Sequence, residues 1–325
     1  MANIQTLDDL VTPSVVAIHD EANKQLSKEL RYKKLGFSDY EPTFDEPSFS
    51  SISSVAEAVL TLEQQAYDQD DVIQGYDVSV KLKKYTKQIP ISEECIHWIQ
   101  KGNKEKVQEF RGVVKACANA LNLIVDKLAA KLIYLAHTTT FQTGGDGVAL
   151  AAYNHPSPDA SVAVQRNIFK TTEGHLPVST GAIEKARQRL DRFYDLRGVQ
   201  LMKARDLCLL IATEKEEEVK RILYSPAGPH TPNLGVNPIA TTYSKITYEV
   251  VDHQPVAYKD YWALVSRERM KDSVYMVWGW RPRINAESEY RNGTLIKCGS
   301  VYVQPVFTDW KWGYFSKGDG STISN

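Results

Sequence analysis

Cys95 and His97 are the nearest approach to a nucleophile with its base in this chain. A thiol attacks as the thiolate, so it needs a base or a positive charge in contact with it. Two positions apart, the side chains diverge by roughly 200° on a helix. Cys95 also sits beside Ile96 and Trp98, which predicts a packing residue. Glu214, Glu216, Glu217 and Glu218 have the density of a metal cluster, yet they fall where a helix begins. Carboxylates there complement the positive end of the helix dipole without any metal. The run Gly144-Gly145-Asp146-Gly147 would cradle a phosphate if it led from a strand into a helix. It follows a long helical stretch and precedes irregular sequence, so a plain turn is expected. The seven histidines (His19, His97, His137, His155, His175, His230 and His253) include no pair at metal-ligand spacing. Cys95, Cys117, Cys208 and Cys298 form no Cys-x-x-Cys pair, which predicts free thiols in an intracellular compartment. The sequence has no Gly-x-Gly-x-x-Gly, Walker loop, His-Glu-x-x-His or Gly-x-Ser-x-Gly. No catalytic residue, metal or cofactor is expected.

The elements that would carry a site are more legible. Asn103 to His137 has apolar or small residues at Val107, Phe110, Val114, Cys117, Leu121, Ile124, Leu128, Leu132 and Leu135, the spacing of one helix face. Such a helix would be roughly 50 Å long. Between Lys101 and Thr140 seven basic residues stand against three acidic ones, net +4. The first fifty residues are the reverse, five basic against nine acidic, net -4. Gly36 to Ser54 is rich in Ser, Pro, Asp and Glu without a helical period, which predicts an extended arm that needs a partner surface. Alternation at Val78, Val80 and Leu82 predicts a half-exposed strand of a hairpin. Its companion near Val55 to Leu62 is ambiguous, and its acidic tip spans Glu63 to Asp77. A lone hairpin is marginally stable in water, so this feature also asks for a neighbour.

Further along, Ser179 or Thr180 caps a helix with Ile183, Ala186, Leu190 and Phe193 on one side. Leu207 to Ala212 reads as a buried strand, and Thr213 with Glu216 reads as a capping box opening the next helix. After Pro226, Pro229, Pro232 and Pro238, strands return at Ile246 to Val251 and Tyr261 to Ser266. Asn292-Gly293 predicts a type I′ turn joining Glu287–Arg291 to Thr294–Val306. Trp278 and Trp280, like Trp310 and Trp312, stand at period two, which puts each pair on one strand face. Lys311 alone does not supply the basic groove of a base-stacking platform.

Composition narrows the class. With 39 Lys+Arg against 40 Asp+Glu, net charge -1 and pI near 6.7, the chain lacks the basic excess of a dedicated nucleic-acid binder. Apolar residues at 42% and charged residues at 24% describe a folded globular protein. No apolar run approaches the ~20 residues that cross a bilayer. Asp8 and Asp9 stand where an export signal would be apolar. A soluble protein acting or assembling in the cytosol is expected.

The order of elements carries a resemblance that no single motif does. An acidic arm, a protruding hairpin, and Ile89-Pro90-Ile91-Ser92-Glu93-Glu94 leading to a long helix come first. Asn154-His155-Pro156, a capped helix and a buried strand follow. A Glu-rich helix ending Arg221-Ile222-Leu223-Tyr224-Ser225 and then Val236-Asn237-Pro238-Ile239 complete the layout. Together, over nearly the whole chain, these resemble a tailed-bacteriophage major capsid protein.

The resemblance implies an α+β fold. Residues 1–50 would be an amino-terminal arm, 51–88 an extended β-hairpin loop, and 89–175 a peripheral domain with a long spine helix. Residues 176–270 would be an α/β axial domain, and 271–325 strands returning to the peripheral domain plus the tail. It implies a structural shell protein, not an enzyme, that self-assembles into hexamers and pentamers of an icosahedral head around double-stranded DNA. The implied place is the virion capsid, assembled in the host cytoplasm. Implied partners are further copies of the chain, a separate scaffolding protein, a portal, decoration proteins, and packaged DNA touched non-specifically; no membrane is involved. Two rivals are an encapsulin-like nanocompartment shell enclosing protein cargo and a soluble hydrolase using Cys95 or a histidine. The opposite charges of arm and spine further predict that the arm docks on basic surface of a neighbouring copy, the spine helix being one candidate.

Overall fold

The computed structural model describes residues 4–52, 74–160, 162–225, 237, 239, 246–291 and 294–323. In chain order the helices are α1 (Ile4–Glu29), α2 (Arg31–Lys34), α3 (Glu93–Gln100), α4 (Lys104–Tyr134), α5 (Thr180–Leu190), α6 (Glu216–Tyr224) and α7 (Arg267–Lys271). The strands are β1 (Ser38–Tyr40), β2 (Ser48–Ile52), β3 (Gln74–Ser79), β4 (Lys83–Ser92), β5 (Leu207–Ile211), β6 (Thr247–Val250), β7 (Trp262–Ser266), β8 (Val274–Arg291), β9 (Thr294–Phe307) and β10 (Gly313–Ser316).

The long predicted helix is α4, 31 residues long. Asn103 caps it, its side chain accepting from Glu105 N and Lys106 N at 3.0 and 3.3 Å. Phe110, Val114, Cys117, Leu121, Leu128 and Leu132 are buried, as their spacing predicts. Ala118, Asn122, Val125, Ala129 and Ile133 are buried as well, because the helix is covered on more than one flank. β4, β8 and β9 pack on it, and so does α1.

Within the expected amino-terminal arm lies a helix, α1, ahead of the stretch Gly36 to Ser54 that is expected to be extended. Val15, Ile18, His19 and Ala22 fall at helical spacing and turn away from solvent. Polar contacts add to this apolar face. Asn122 Nδ2 donates to Asn23 Oδ1 at 2.9 Å, and Asn23 Nδ2 donates to His19 Nδ1 at 3.0 Å and to Pro282 O at 2.8 Å. The stretch after it is extended but not free. Asp126 on α4 accepts Tyr32 N at 3.1 Å, and β1 pairs in parallel with β8. The arm is therefore packed within its own subunit.

The first sheet has the order β1-β8-β9-β4. One face meets α4; on the other, Val277 and Val306 meet Val78, Val80 and Leu82. That alternation is as predicted, although the strand breaks between Ser79 and Lys83. β3 pairs antiparallel with β2, Ser48 opposite Ser79. The hairpin's companion strand is thus Ser48–Ile52, and Gln74–Asp77 belong to β3 rather than to a tip. The expected companion Val55–Leu62 and the expected tip from Glu63 to Ile73 lie outside the described residues.

β8 and β9 pair antiparallel with Arg291 opposite Thr294, which leaves two residues for the predicted turn. Asn292 and Gly293 themselves lie outside the described residues. The register shifts between Trp278 and Trp280, so these residues do not share a face. Trp278 is buried in the main core, edge-on to Tyr32 at 6.1 Å, while Trp280 lies against Tyr302 at 4.7 Å beside the smaller cluster. Trp310 and Trp312 are not in a strand at all; they occupy the turn between β9 and β10.

The second sheet has the order β10-β7-β5-β6. The buried strand β5 runs parallel to β6 and antiparallel to β7. Ser179 caps α5, its Oγ accepting from Ala182 N at 3.2 Å. The predicted capping box does not form. Thr213–Lys215 make a 3₁₀ turn, which moves the start of α6 to Glu216 and leaves Thr213 out of reach of its first turn. β10, expected to return to the first sheet, pairs with β7 instead, so the chain crosses between the sheets at α7 and again after β9.

Candidate functional site

No hydrogen bond joins Cys95 to His97 or to another base among the described residues. Cys95 lies on α3, where burial pushes its thiol up, Glu109 adds to the effect and Lys106 opposes it. His97 is exposed and edge-on to Trp98 at 5.8 Å. Burial also pushes up the thiols of Cys117 and Cys208. Three carboxylates of the Glu-rich turn are engaged: Glu216 holds Lys220 at 2.8 Å, Glu217 holds Arg221, and Glu218 holds Lys215 at 3.2 Å. Among the described residues no group of three or more His, Cys, Asp and Glu could hold a metal. None of their helices is long and apolar enough to cross a membrane.

Two histidine clusters escaped the sequence reading, because their members come from separate segments. The glycine run is a turn, closed by Gly144 N donating to Val148 O at 2.8 Å, with Gly147 at φ +81. Its Asp146 accepts Val148 N at 3.2 Å and lies 2.6 Å from His155 Nδ1. His155 Nε2 lies 3.2 Å from Asn167 Oδ1. Asn167 is itself fixed, accepting Ala152 N at 2.9 Å and donating to Leu150 O at 2.6 Å. The His155 ring stacks on Trp310 at 4.1 Å. Both ring nitrogens are occupied and the residue is 1% exposed, so His155 is a brace. It ties the Gly144–Gly147 turn to the chain passing from β9 to β10.

The second cluster lies beyond the end of α4. His137 and His175 meet edge to face at 5.0 Å. Burial, then His175 and Lys317, hold His137 well below 6.5. Burial and then Lys317 lower His175 to about 4. Lys317 N donates to His175 Nδ1 at 3.2 Å. A cavity of about 300 Å³ opens beside the pair.

Some arm carboxylates are paired within the subunit. Asp39 accepts Tyr32 Oη and Trp278 Nε1 at 2.7 and 2.8 Å and pairs with Lys33 and Arg281 at 3.4 Å each. Burial works against its ionisation, but these partners win and hold it below the ordinary range. Glu41 pairs with Arg281 at 3.0 Å and Glu46 with Lys81 at 3.6 Å. These three arm carboxylates have partners inside the subunit. The spine is different. Lys104, Arg111, Lys115 and Lys127 are exposed with no ion pair to a described residue, beside exposed Val113 and Leu123. Residues 53–73, outside the described residues, hold Glu57, Glu63, Asp68, Asp70 and Asp71 and no Lys or Arg. Trp280, for its part, has basic company after all, with Lys84 at 5.7 Å and Arg283 at 4.5 Å from its ring.

No family model and no curated protein matches the sequence. Solved structures do match the fold. The cyanophage A-1(L) capsid asymmetric unit aligns at TM-score 0.55 and 14% identity, covering 90% of this chain and 94% of that one. The fold is that of a phage capsid protein. The capsid of Myoviridae phage XM1 shares this capsid fold at TM-score 0.51 and 13% identity, over 88% of this chain and 91% of that one. The capsid of a native GTA particle does so at TM-score 0.51 and 9% identity, over 88% and 89%. At such identities the capsid fold rests on the arrangement of elements, not on shared side chains.

Proposed function

We propose that this chain is the shell subunit of a tailed-phage head, forming hexamers and pentamers of an icosahedral capsid around double-stranded DNA. The observation that carries the reading is a capsid fold extending over 90% of the chain. Residues 51–88 act as the extended loop, 89–175 with the strands of 271–325 as the peripheral domain, and 176–270 as the axial domain, to which β10 is added. Within residues 1–50, α1 and α2 pack on the subunit's own spine helix.

Contact between copies then falls to other surfaces. The basic, partly apolar flank of α4 takes the acidic residues 53–73 of the next copy, since opposite charge steers and registers an interface. A near-neutral subunit suits a container whose DNA must be driven in and out, because tight phosphate contacts would hold it back. A separate scaffolding protein, a portal and decoration proteins complete the partners. The role is structural; the engaged carboxylates and raised thiols favour no turnover.

Light scattering and negative-stain imaging of the purified protein test this. Rings of five and six subunits, or closed shells, are expected, and nuclease-protected DNA in particles from producing cells separates a head from a protein-filled compartment. A protein that stays monomeric at every concentration, with and without a co-expressed scaffold, sinks the proposal.

A further inference from the structure

The cavity beyond α4 has the chemistry of an anion site. At about 300 Å³ it is far larger than the ~30 Å³ share of one water and falls at the lower end of small-ligand clefts. His137, His175, Lys317, Thr139, Tyr153 and Asn154 are among its walls.

The tautomer of His175 follows from its neighbours. Its Nδ1 accepts the Lys317 backbone N–H at 3.2 Å, so the neutral ring carries its proton on Nε2. That N–H has no hydrogen-bond partner among the described residues, although His175 is only 3% exposed. The nitrogen opens to the cavity that His175 lines, where a ligand oxygen can accept from it. His137 holds the ring in place, edge-on to His175 at 5.0 Å and to Tyr261 at 5.5 Å.

Two charges act on this donor, the Lys317 ammonium and, in the opposite sense, the Asp319 carboxylate. The Lys317 ammonium makes no ion pair to a described residue. Asp319 is the acid closest in sequence, and its Oδ1 is taken by Ser321 N and Oγ at 2.9 and 2.6 Å. The Arg166 guanidinium lies 5.3 Å from the ring of Tyr153, a wall residue, and donates to its hydroxyl at 3.4 Å. The Thr139 hydroxyl and the Asn154 amide add donors with no partner among the described residues.

The geometry points to a binding site for a phosphate group, held by Lys317 and the His175 Nε2–H, with the rest of the cavity receiving the body of a small phosphate ester such as a nucleotide. Several donors lining one cavity with a cation suit the multiple oxygens of a phosphate better than a single carboxylate. This inference rests on the cavity alone and survives or fails independently of the shell reading.

Isothermal titration on the intact, unassembled chain tests it with three probes: inorganic phosphate, a deoxynucleoside monophosphate and a short DNA duplex. The monophosphate is expected to bind more tightly than inorganic phosphate, and the duplex more weakly, since a cavity of this size admits a terminal phosphate but not a stacked helix. Lys317→Ala should weaken the monophosphate about tenfold or more, Lys317→Arg should keep most of it, and His175→Gln should fall between. Thermal melts of each variant check that it is folded. Binding by none of the three, or monophosphate binding unchanged in folded Lys317→Ala, overturns the site. Tightest binding by the duplex, lost in Lys317→Ala, also overturns the small-ester assignment, because it makes the source of the phosphate a nucleic-acid backbone.

Discussion

Acid should loosen this subunit well before its carboxylates titrate, and His175 shows by how much. Burial and Lys317 lower its pKa from 6.5 to about 4. Between those values an unfolded chain takes up a proton that the folded chain refuses, so stability falls as pH falls. At about pH 5 the proton favours the unfolded state by a factor of about 30. That factor corresponds to about 2 kcal/mol, and screening at the open mouth of the cavity reduces the expected loss to about 1–2 kcal/mol. Above about pH 6.5 both states are neutral and His175 contributes no slope. Burial lowers His137 and His19 in the same direction, so their losses add. Asp319 opposes the effect at both His137 and His175, and Lys317 reinforces it. Urea unfolding of the unassembled subunit, followed by tryptophan fluorescence at about pH 7, 6 and 5, reads the slope directly. His175→Gln should flatten it by about 1–2 kcal/mol over this interval, whatever it costs at neutral pH. A parent curve that is flat from about pH 6.5 to 5, or a slope unchanged by His175→Gln, would refute the reasoning.

Three further outcomes are expected. Asp146→Ala removes the carboxylate facing His155 Nδ1 and Val148 N, and should cost about 2–4 kcal/mol in a denaturant melt; an unmoved midpoint would mean the brace carries no stability. Reversing Lys104, Arg111 and Lys115 to Glu should change subunit stability by no more than about 0.5 kcal/mol per site yet abolish closed particles. Normal particles by negative stain would remove α4 from the interface. Shortening the chain within residues 57–70 should leave a folded subunit, because β2 and β3 stay intact, but prevent closure; intact shells would show that this segment is dispensable.

The strongly periodic parts of the chain were legible for a simple reason. α4 and β5 announce themselves through apolar residues within a few positions of one another, and burial followed that pattern. α1 was hidden because its inner face includes the polar His19 and Asn23; Asn23 is held by Asn122 and Pro282 far along the chain and in turn holds His19. Trp280 was assigned to the face of Trp278 by a period-two rule that the shifted register between them breaks. The capping box failed because one 3₁₀ turn displaced the helix start.

What the sequence alone determined was therefore the kind and order of elements, and through that order the resemblance to a capsid subunit. Periodicity and turn chemistry are local, so they survive without any partner in view. Only the tertiary structure decided where the charges and histidines went. Asp39 is spent on Arg281, Asp146 on His155, and His175 is set beside Lys317, each pair joining segments separated along the chain. Such pairings depend on desolvation and on register between strands, and both are set by the packed whole rather than by neighbours in sequence.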